Sequence, residues 1–376
     1  MNIKVLRPQT ARGWRRLVRG LGCRIQGPVN VLHGNPPGGC VIDHKRNKGG
    51  VVSGPMLPKE HPLLTTRQID YRGTWVKGCK DLKVYGPTVS VVDEAGHLLA
   101  DVSVEWGRKA EENWTFRRFI LPKAKLVTGR TLVLASTGGG TYFHWITDVV
   151  PRFRLAQRAG YNLSIFDHVL VNGLDQRFQQ ETMQRLGILP ERCLWLAPHN
   201  HALCLEEAVL PSLPGVPGVV PPETIDFLQS IFTTKTIVTG RKIFIGRGGA
   251  THRALIHEGK IAAMLGERGF KSVECEKLSV QEQADIFSSA DVVVGAHGAA
   301  LTNLVFCRPG TRVVELFSPA YVNPCYRDLC VAAELRHAAV IGSGKDWVLS
   351  ERHDLPSAPI TASWELVEKA LADFLR

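Results

Sequence analysis

The sequence predicts an α/β protein built from two doubly wound, Rossmann-type domains, and three observations carry that prediction. A chain of 376 residues is too long for one ordinary core and suits two domains of about 150 to 200 residues each. From Thr131 onward, short apolar runs alternate with helix-like stretches, as in a parallel sheet covered on both faces. This alternation is interrupted once, by "VLPSLPGVPGVVPPE", which has five prolines between Pro211 and Pro222. The resulting division is 1–125, 126–215, a hinge at 216–235, 236–350, and a terminal helix in 351–376.

The first 125 residues read as a β-rich extension. Ten Lys or Arg stand against the single Asp43 in residues 1–50, so most of the formal net charge of +11 belongs to this segment. Within residues 1–24, Trp14, Leu17, Val18 and Leu21 recur at helical spacing among Arg12, Arg15, Arg16 and Arg19. The pattern suits a peripheral helix on an anionic membrane, and equally a solvated basic arm. No aromatic-basic stripe or motif points to nucleic acid. Residues 30–60 read as an irregular Gly/Pro-rich loop, and "PTVSVVDEAGHLLADVSVEW" as a hairpin turning at "DEAG". The N-terminal "MNIKVLRPQTARGWRRLVRGLG" has no continuous apolar core of the signal-peptide kind. Nine scattered cysteines without a CxxC pair read as reduced thiols, which suggests a cytoplasmic protein, peripheral on the inner face of a membrane if the basic helix binds there.

The first alternating series runs from "TLVLAS", a buried strand, through the "TGGG" turn and the helix-like "TYFHWITDVVPRFRLAQRAG" to the strands "HVLVNG" and "LWLAP", with "QRFQQETMQRLG" helical between them. The second has strands "RKIFIG", "FKSVEC", "DVVVGA" and "TRVVELF", with helices over Ala254–Arg268, "SVQEQADIFSSA" and "ALTNLVF". Ser279 and Glu282 form a capping-box pattern at one helix start. In doubly wound folds, ligands sit at the carboxyl ends of the strands, so a cleft between the two domains is expected.

Chemistry-bearing residues cluster at those ends. Gly295 and Gly298 allow close backbone approach around His297, while Ala299 and Ala300 leave the next helix start uncrowded. The free N–H groups there suit a phosphate. A tight turn with a capping histidine accounts for the stretch equally well, and Asn303 fits either an amide contact or a helix surface. Arg247 and Arg253 bracket "GGATHR" and suit a diphosphate that gains charge. Glu315, in "TRVVELF", is expected to accept from ribose hydroxyls.

In the first series, His144, Asp148 and Arg152 fall at i, i+4 and i+8 on one helical face, with Ile146, Val149 and Phe153 behind. Pro151 requires a kink or restart. The His and Asp suggest a general base and its orienting partner, or a satisfied structural pair.

Four segments in this order, "YFHWITDVVPRF", "FIGRGGATHRALIHE", "LSVQEQADIFSSADVVVGAHGAALTNLVF" and "GTRVVELF", resemble glycosyltransferase family 61. The resemblance implies a GT-B fold and an inverting transfer from a nucleotide-sugar donor to a glycan or lipid-linked glycan acceptor, as in capsular polysaccharide synthesis. It makes 126–215 the acceptor domain and 236–350 the donor domain. Carried onto this chain, Arg247, Arg253, Gly295, His297, Gly298, Ala299 and Asn303 fall in the donor-diphosphate region and Glu315 at the ribose end. His144, Asp148 and Arg152 lie on the acceptor side, with Asp148 preferred as base and His144 orienting. Glu258 is carried over to the donor side, although the family's usual Asn-Glu is His257-Glu258 here. No Asp-x-Asp motif is present, so neither a metal nor a cofactor is expected. A Rossmann dehydrogenase or a non-catalytic sugar-binding protein are the rival classes; "GRGGA" lacks the dinucleotide spacing.

Overall fold

A computed structural model describes residues 30–34, 38, 40–42, 53–58, 60–65, 69, 71–86, 88–118, 120–196, 201–232, 239–344 and 357–375. The basic segment 1–24 lies outside them. In chain order the strands are β1 (Asn30–Leu32), β2 (Cys40–Ile42), β3 (Ser53–Leu57), β4 (Thr74–Tyr85), β5 (Ser90–Val92), β6 (His97–Leu99), β7 (Lys125–Val133), β8 (His168–Val171), β9 (Cys193–Trp195), β10 (Ala202–Pro211), β11 (Arg241–Ile245), β12 (Phe270–Ser272), β13 (Ala290–Ala296), β14 (Arg312–Phe317) and β15 (Arg336–Ile341). The described residues form two compact units, one within 1–44 and 73–214, the other within 45–72 and 215–376.

In the first unit the strands run β1-β6-β5-β4-β10-β7-β8-β9, with β2 also on β4. The β10-β7-β8-β9 block is parallel, and its buried Val133, Leu170, Leu205 and Leu210 form one core with Leu82 and Val84 of β4. Each such side chain contributes about 1.5–3 kcal/mol by leaving water. The expectation of a doubly wound parallel sheet is corrected here. β4 runs antiparallel to β10 from Tyr85↔Ala202 to Val76↔Pro211, and the β5–β6 hairpin extends that antiparallel side, so the sheet is mixed. The hairpin turns where expected, with the Asp93 carboxylate accepting from His97 N–H at 2.7 Å and Gly96 at φ 84°.

In the second unit all pairings are parallel, in the order β12-β11-β13-β14-β15-β3. Helices α4 (Glu258–Gly266), α5 (Val280–Ser288), a 3-10 helix (Ala299–Phe306) and α6 (Cys325–Ala332) make the crossovers. The continuous apolar run Val292–Val294 is buried throughout, as a strand covered on both faces requires. Ser279 does cap α5: its hydroxyl accepts from Glu282 N–H while the Glu282 carboxylate accepts from Ser279 N–H. The terminal helix α7 (Trp364–Leu375) inserts Val367, Leu371 and Phe374 into the core of β11, β13, β14 and β15.

Two boundaries differ from those expected. Residues 45–72 belong to the second unit because β3 adds to the free edge of β15, with Leu57 in that unit's core. The proposed hinge at 216–235 holds α3 (Pro222–Ile231), whose Gln229 side chain donates to the carbonyl of Val305 at 2.8 Å. The two longest helices of the first unit are α1 (Val150–Arg158) and α2 (Arg177–Arg185). No helix among the described residues is long and apolar enough to cross a membrane.

Candidate functional site

Two constellations stand at the carboxyl ends of parallel strands, one in each unit. In the second unit, β11 ends at Ile245 and the chain turns through Gly246 into Arg247. Glu258, the first residue of α4, turns its carboxylate back onto this loop and accepts from the N–H of Arg247 at 2.8 Å and of Gly248 at 3.2 Å. Gly246 makes this possible, since a Cβ there would collide with the Glu258 carboxylate. Glu258, expected on the donor side, therefore shapes the loop that carries Arg247.

Arg247 donates through Nη2 to the carbonyl of His252 at 2.7 Å, and its Nη1 packs against Gly298, where a Cβ would overlap it. Its Nε is buried with no hydrogen-bond partner among the described residues. Burial, then the neighbouring Arg253 cation, lowers its pKa. Arg253 has a left-handed φ of 53°, donates through Nε to the carbonyl of His297 at 3.1 Å, and lies over the Tyr321 ring at 5.2 Å. Two cations are thus held side by side, one of them with an unused buried donor. That arrangement costs free energy unless an anion enters.

Beneath them, His297 N–H donates to the Leu316 carbonyl, fixing the turn after β13 to β14. The His297 ring stacks on Phe317 and packs against Tyr326. Its Nδ1 is 2.5 Å from one Glu315 oxygen, and His337 Nε2 is 2.8 Å from the other. Glu315 is 0% exposed, and His297 and His337 are 4% and 5% exposed. Burial pushes the Glu315 carboxyl well up; burial foremost, with nearby arginines, brings both histidines down to about 3. The expectation that Glu315 reaches a ribose is corrected, since both oxygens are occupied inside the sheet. Asn303 is also interior, donating to the Gln283 amide oxygen at 2.6 Å and tying the 3-10 helix to α5. Gly295 lets Leu301 close on β13, and Ala299 is exposed at the start of the 3-10 helix.

In the first unit, "TGGG" follows β7. Asn172, just after β8, clamps this turn by accepting from Ser136 N–H at 3.0 Å and donating to Ser136 O at 2.7 Å. Gly138, at φ 75°, has no room for a Cβ: it would overlap the Trp106 ring and stand 2.8 Å from His144 Cδ2. His144 Nδ1 and Asp148 Oδ2 are 2.7 Å apart, and the two side chains are 18% and 7% exposed. Trp106 stacks on the imidazole, with centroids 4.8 Å apart.

The helix restarts as Pro151 demands, through a π turn at Trp145–Val149 before α1. Arg152, expected to face an acceptor, is corrected to an interior staple. It is 0% exposed and donates to the carbonyls of Pro211, Leu134 and Ala135. Burial pulls its pKa down to about 9, against the pull of Asp148. A cavity of about 300 Å³ opens beside the turn, lined by Val89, Ala135, Gly138, Thr141, Asn172 and Leu196 among others.

Trp106, His337 and Tyr321 take part in these sites without having been singled out from the sequence. Only the triple glycine carried a signal, since such a turn implies a bulky neighbour at close range.

The family model for glycosyltransferase 61 matches residues 142–314. A β-1,2-xylosyltransferase of Oryza sativa subsp. japonica is 45% identical over 47 residues, which cover 12% of this chain and 9% of the relative. Among solved structures, a phosphoglycerate oxidoreductase from Vibrio cholerae covers 63% of this chain and 91% of that chain at 12% identity and a TM-score of 0.20. A glycerate dehydrogenase related protein from Thermoplasma acidophilum covers 66% and 100% at 11% identity and 0.19. Scores that low carry no argument about fold or activity. Residues 142–314 run from the His144–Asp148 pair through the arginine loop and the His297 turn to β14, and over that span the chain is similar to glycosyltransferase family 61.

Proposed function

We propose that the chain is a glycosyltransferase that moves a sugar from a nucleotide-sugar to a hydroxyl of a glycan acceptor. The observation that carries this is Arg247, whose buried Nε has no partner among the described residues while the Arg253 cation stands beside it. A nucleoside diphosphate supplies the missing anion. It also gains charge as it departs, so fixed cations stabilise the transition state more than the ground state.

In the proposed reaction, the acceptor oxygen attacks the anomeric carbon as its proton passes to His144. The bond from that carbon to the diphosphate breaks, and its electron pair leaves with the nucleoside diphosphate between Arg247 and Arg253. His144 is now the better base, with Asp148 orienting it. Asp148 Oδ2 already holds His144 Nδ1, and Asp148 is the more buried of the two. The second ring nitrogen, Nε2, makes no hydrogen bond among the described residues and is the atom left for the acceptor. Inversion at the anomeric carbon, independence of metal and cofactor, the GT-B architecture, a lipid-linked acceptor at the inner face of a membrane and a place in polysaccharide synthesis belong to the same proposal.

Two variants test it in different units. Arg247→Ala should weaken nucleoside diphosphate binding about a hundredfold in calorimetry. His144→Ala should leave that binding intact and remove transfer. Full diphosphate affinity in the first variant, or near-normal transfer in the second, would refute the reading.

A further inference from the structure

We infer that Trp106 is the platform on which a pyranose ring of the acceptor lies, with the neighbouring cavity receiving part of the same ligand. The inference rests on the transferase reading and adds the acceptor side of it. Trp106 is 53% exposed, yet it is not a loose surface side chain. Its loop is fastened on both sides: the Thr137 hydroxyl lies 2.6 Å from the Val104 carbonyl, and the Glu105 carboxylate accepts from Trp114 N–H at 2.8 Å and from the Arg117 guanidinium at 2.6 Å. The indole itself is held by the His144 imidazole on which it stacks, and its edge fills the space where a Cβ of Gly138 would fall.

An exposed aromatic ring ordered in this way loses little conformational freedom when a ligand stacks on it. Pyranoses present an apolar face of C–H groups that suits an indole, and their hydroxyls require polar partners at the rim. The structure offers such partners. Gly138, which touches both Trp106 and His144, also lines the 300 Å³ cavity, together with the Asn172 amide and Thr141. Ser136 Oγ, next in the chain to Ala135 of the cavity wall, is buried without a hydrogen-bond partner among the described residues. Val89, in the same wall, keeps a left-handed φ of 48° that a β-branched residue rarely adopts, and such strain gathers at ligand sites. His144 covers one face of the indole, so the pyranose would lie on the other, exposed face and reach the imidazole only around the ring edge.

The test uses the full chain and saturation-transfer NMR with methyl glycosides of xylose, glucose, galactose and mannose, and with open-chain sorbitol as a polyol lacking the ring face. Wild type should saturate the C–H protons of one face of at least one glycoside and leave sorbitol unsaturated. Trp106→Ala should lose at least tenfold in affinity for that glycoside, with an unchanged melting temperature and unchanged nucleoside diphosphate binding, and Trp106→Phe should restore most of it. Retained affinity in Trp106→Ala, equal saturation of sorbitol, or no glycoside bound by wild type would each overturn the inference. Failure here leaves donor binding by Arg247 untouched, so it is distinguishable from failure of the transferase reading.

Discussion

The Glu258 carboxylate bridges the backbone N–H groups of Arg247 and Gly248, so an acid at the start of one helix sets the path of a cationic loop. Hydrogen bonds to a charged acceptor contribute about 1.5–3 kcal/mol. Glu258→Gln keeps one acceptor oxygen and loses the charge. Nucleoside diphosphate affinity should fall about tenfold by calorimetry, and unfolding free energy by about 1–3 kcal/mol. Unchanged affinity would show that Arg247 finds its position without this bridge.

Gly138→Ala should act on the first unit alone. Its φ of 75° already disfavours a side chain, and the added methyl would displace both Trp106 and His144. A cost of about 1–2 kcal/mol is expected from the conformation, and transfer should drop by about a hundredfold as the base loses alignment. Nucleoside diphosphate binding serves as the control and should not change.

Arg152→Met removes the donors that hold the Pro211, Leu134 and Ala135 carbonyls and keeps much of the side-chain volume. Leaving buried acceptors unsatisfied costs about 1–3 kcal/mol each, so a loss of about 3–5 kcal/mol in urea unfolding is expected for the whole staple. A loss below about 1 kcal/mol would contradict the interior role.

The buried His297–Glu315–His337 group gives stability a pH dependence whose sign follows from its shifts. The two histidines titrate near 6.5 unfolded and near 3 folded, so below about pH 6.5 the unfolded chain takes up two protons that the folded one refuses. Glu315 works oppositely: its raised folded pKa lets the folded chain hold one proton that the unfolded chain releases above its ordinary value. The two depressed histidines set the sign, so stability from this group is lost as pH falls below about 6.5, with the raised Glu315 opposing part of that loss. His337→Gln keeps a donor for Glu315 and removes one titration. Its urea-unfolding free energy should vary less steeply than wild type over that window, and a parallel dependence would disprove the account.

The second unit was largely legible because each central strand is an apolar run ended by glycine or a polar turn, and because Ser279 and Glu282 mark a helix start. What escaped reading depended on partners far apart in the chain. Glu315 looked like a ligand contact because an acid at a strand end often is one; the histidine that occupies its second oxygen sits on another strand. Arg152 kept its helical spacing from Asp148, but the carbonyls it serves come from β7 and β10, and nothing local shows that a charged residue points inward. β3 contains Gly54 and Pro55, which argue against a strand, and it is tolerated because β3 lies at the sheet edge, where a missing N–H goes unused.

The place of β3 also sets an order of assembly. Ser53–Leu57 leaves the ribosome before its hydrogen-bonding partner, Arg336–Ile341, has been made. The second sheet cannot finish its edge until Arg336–Ile341 has been synthesised. For the same reason, a fragment beginning at residue 215 would expose the β15 edge and leave the place of Leu57 in the core empty, so cutting the gene at the proline-rich boundary would not yield an autonomous half.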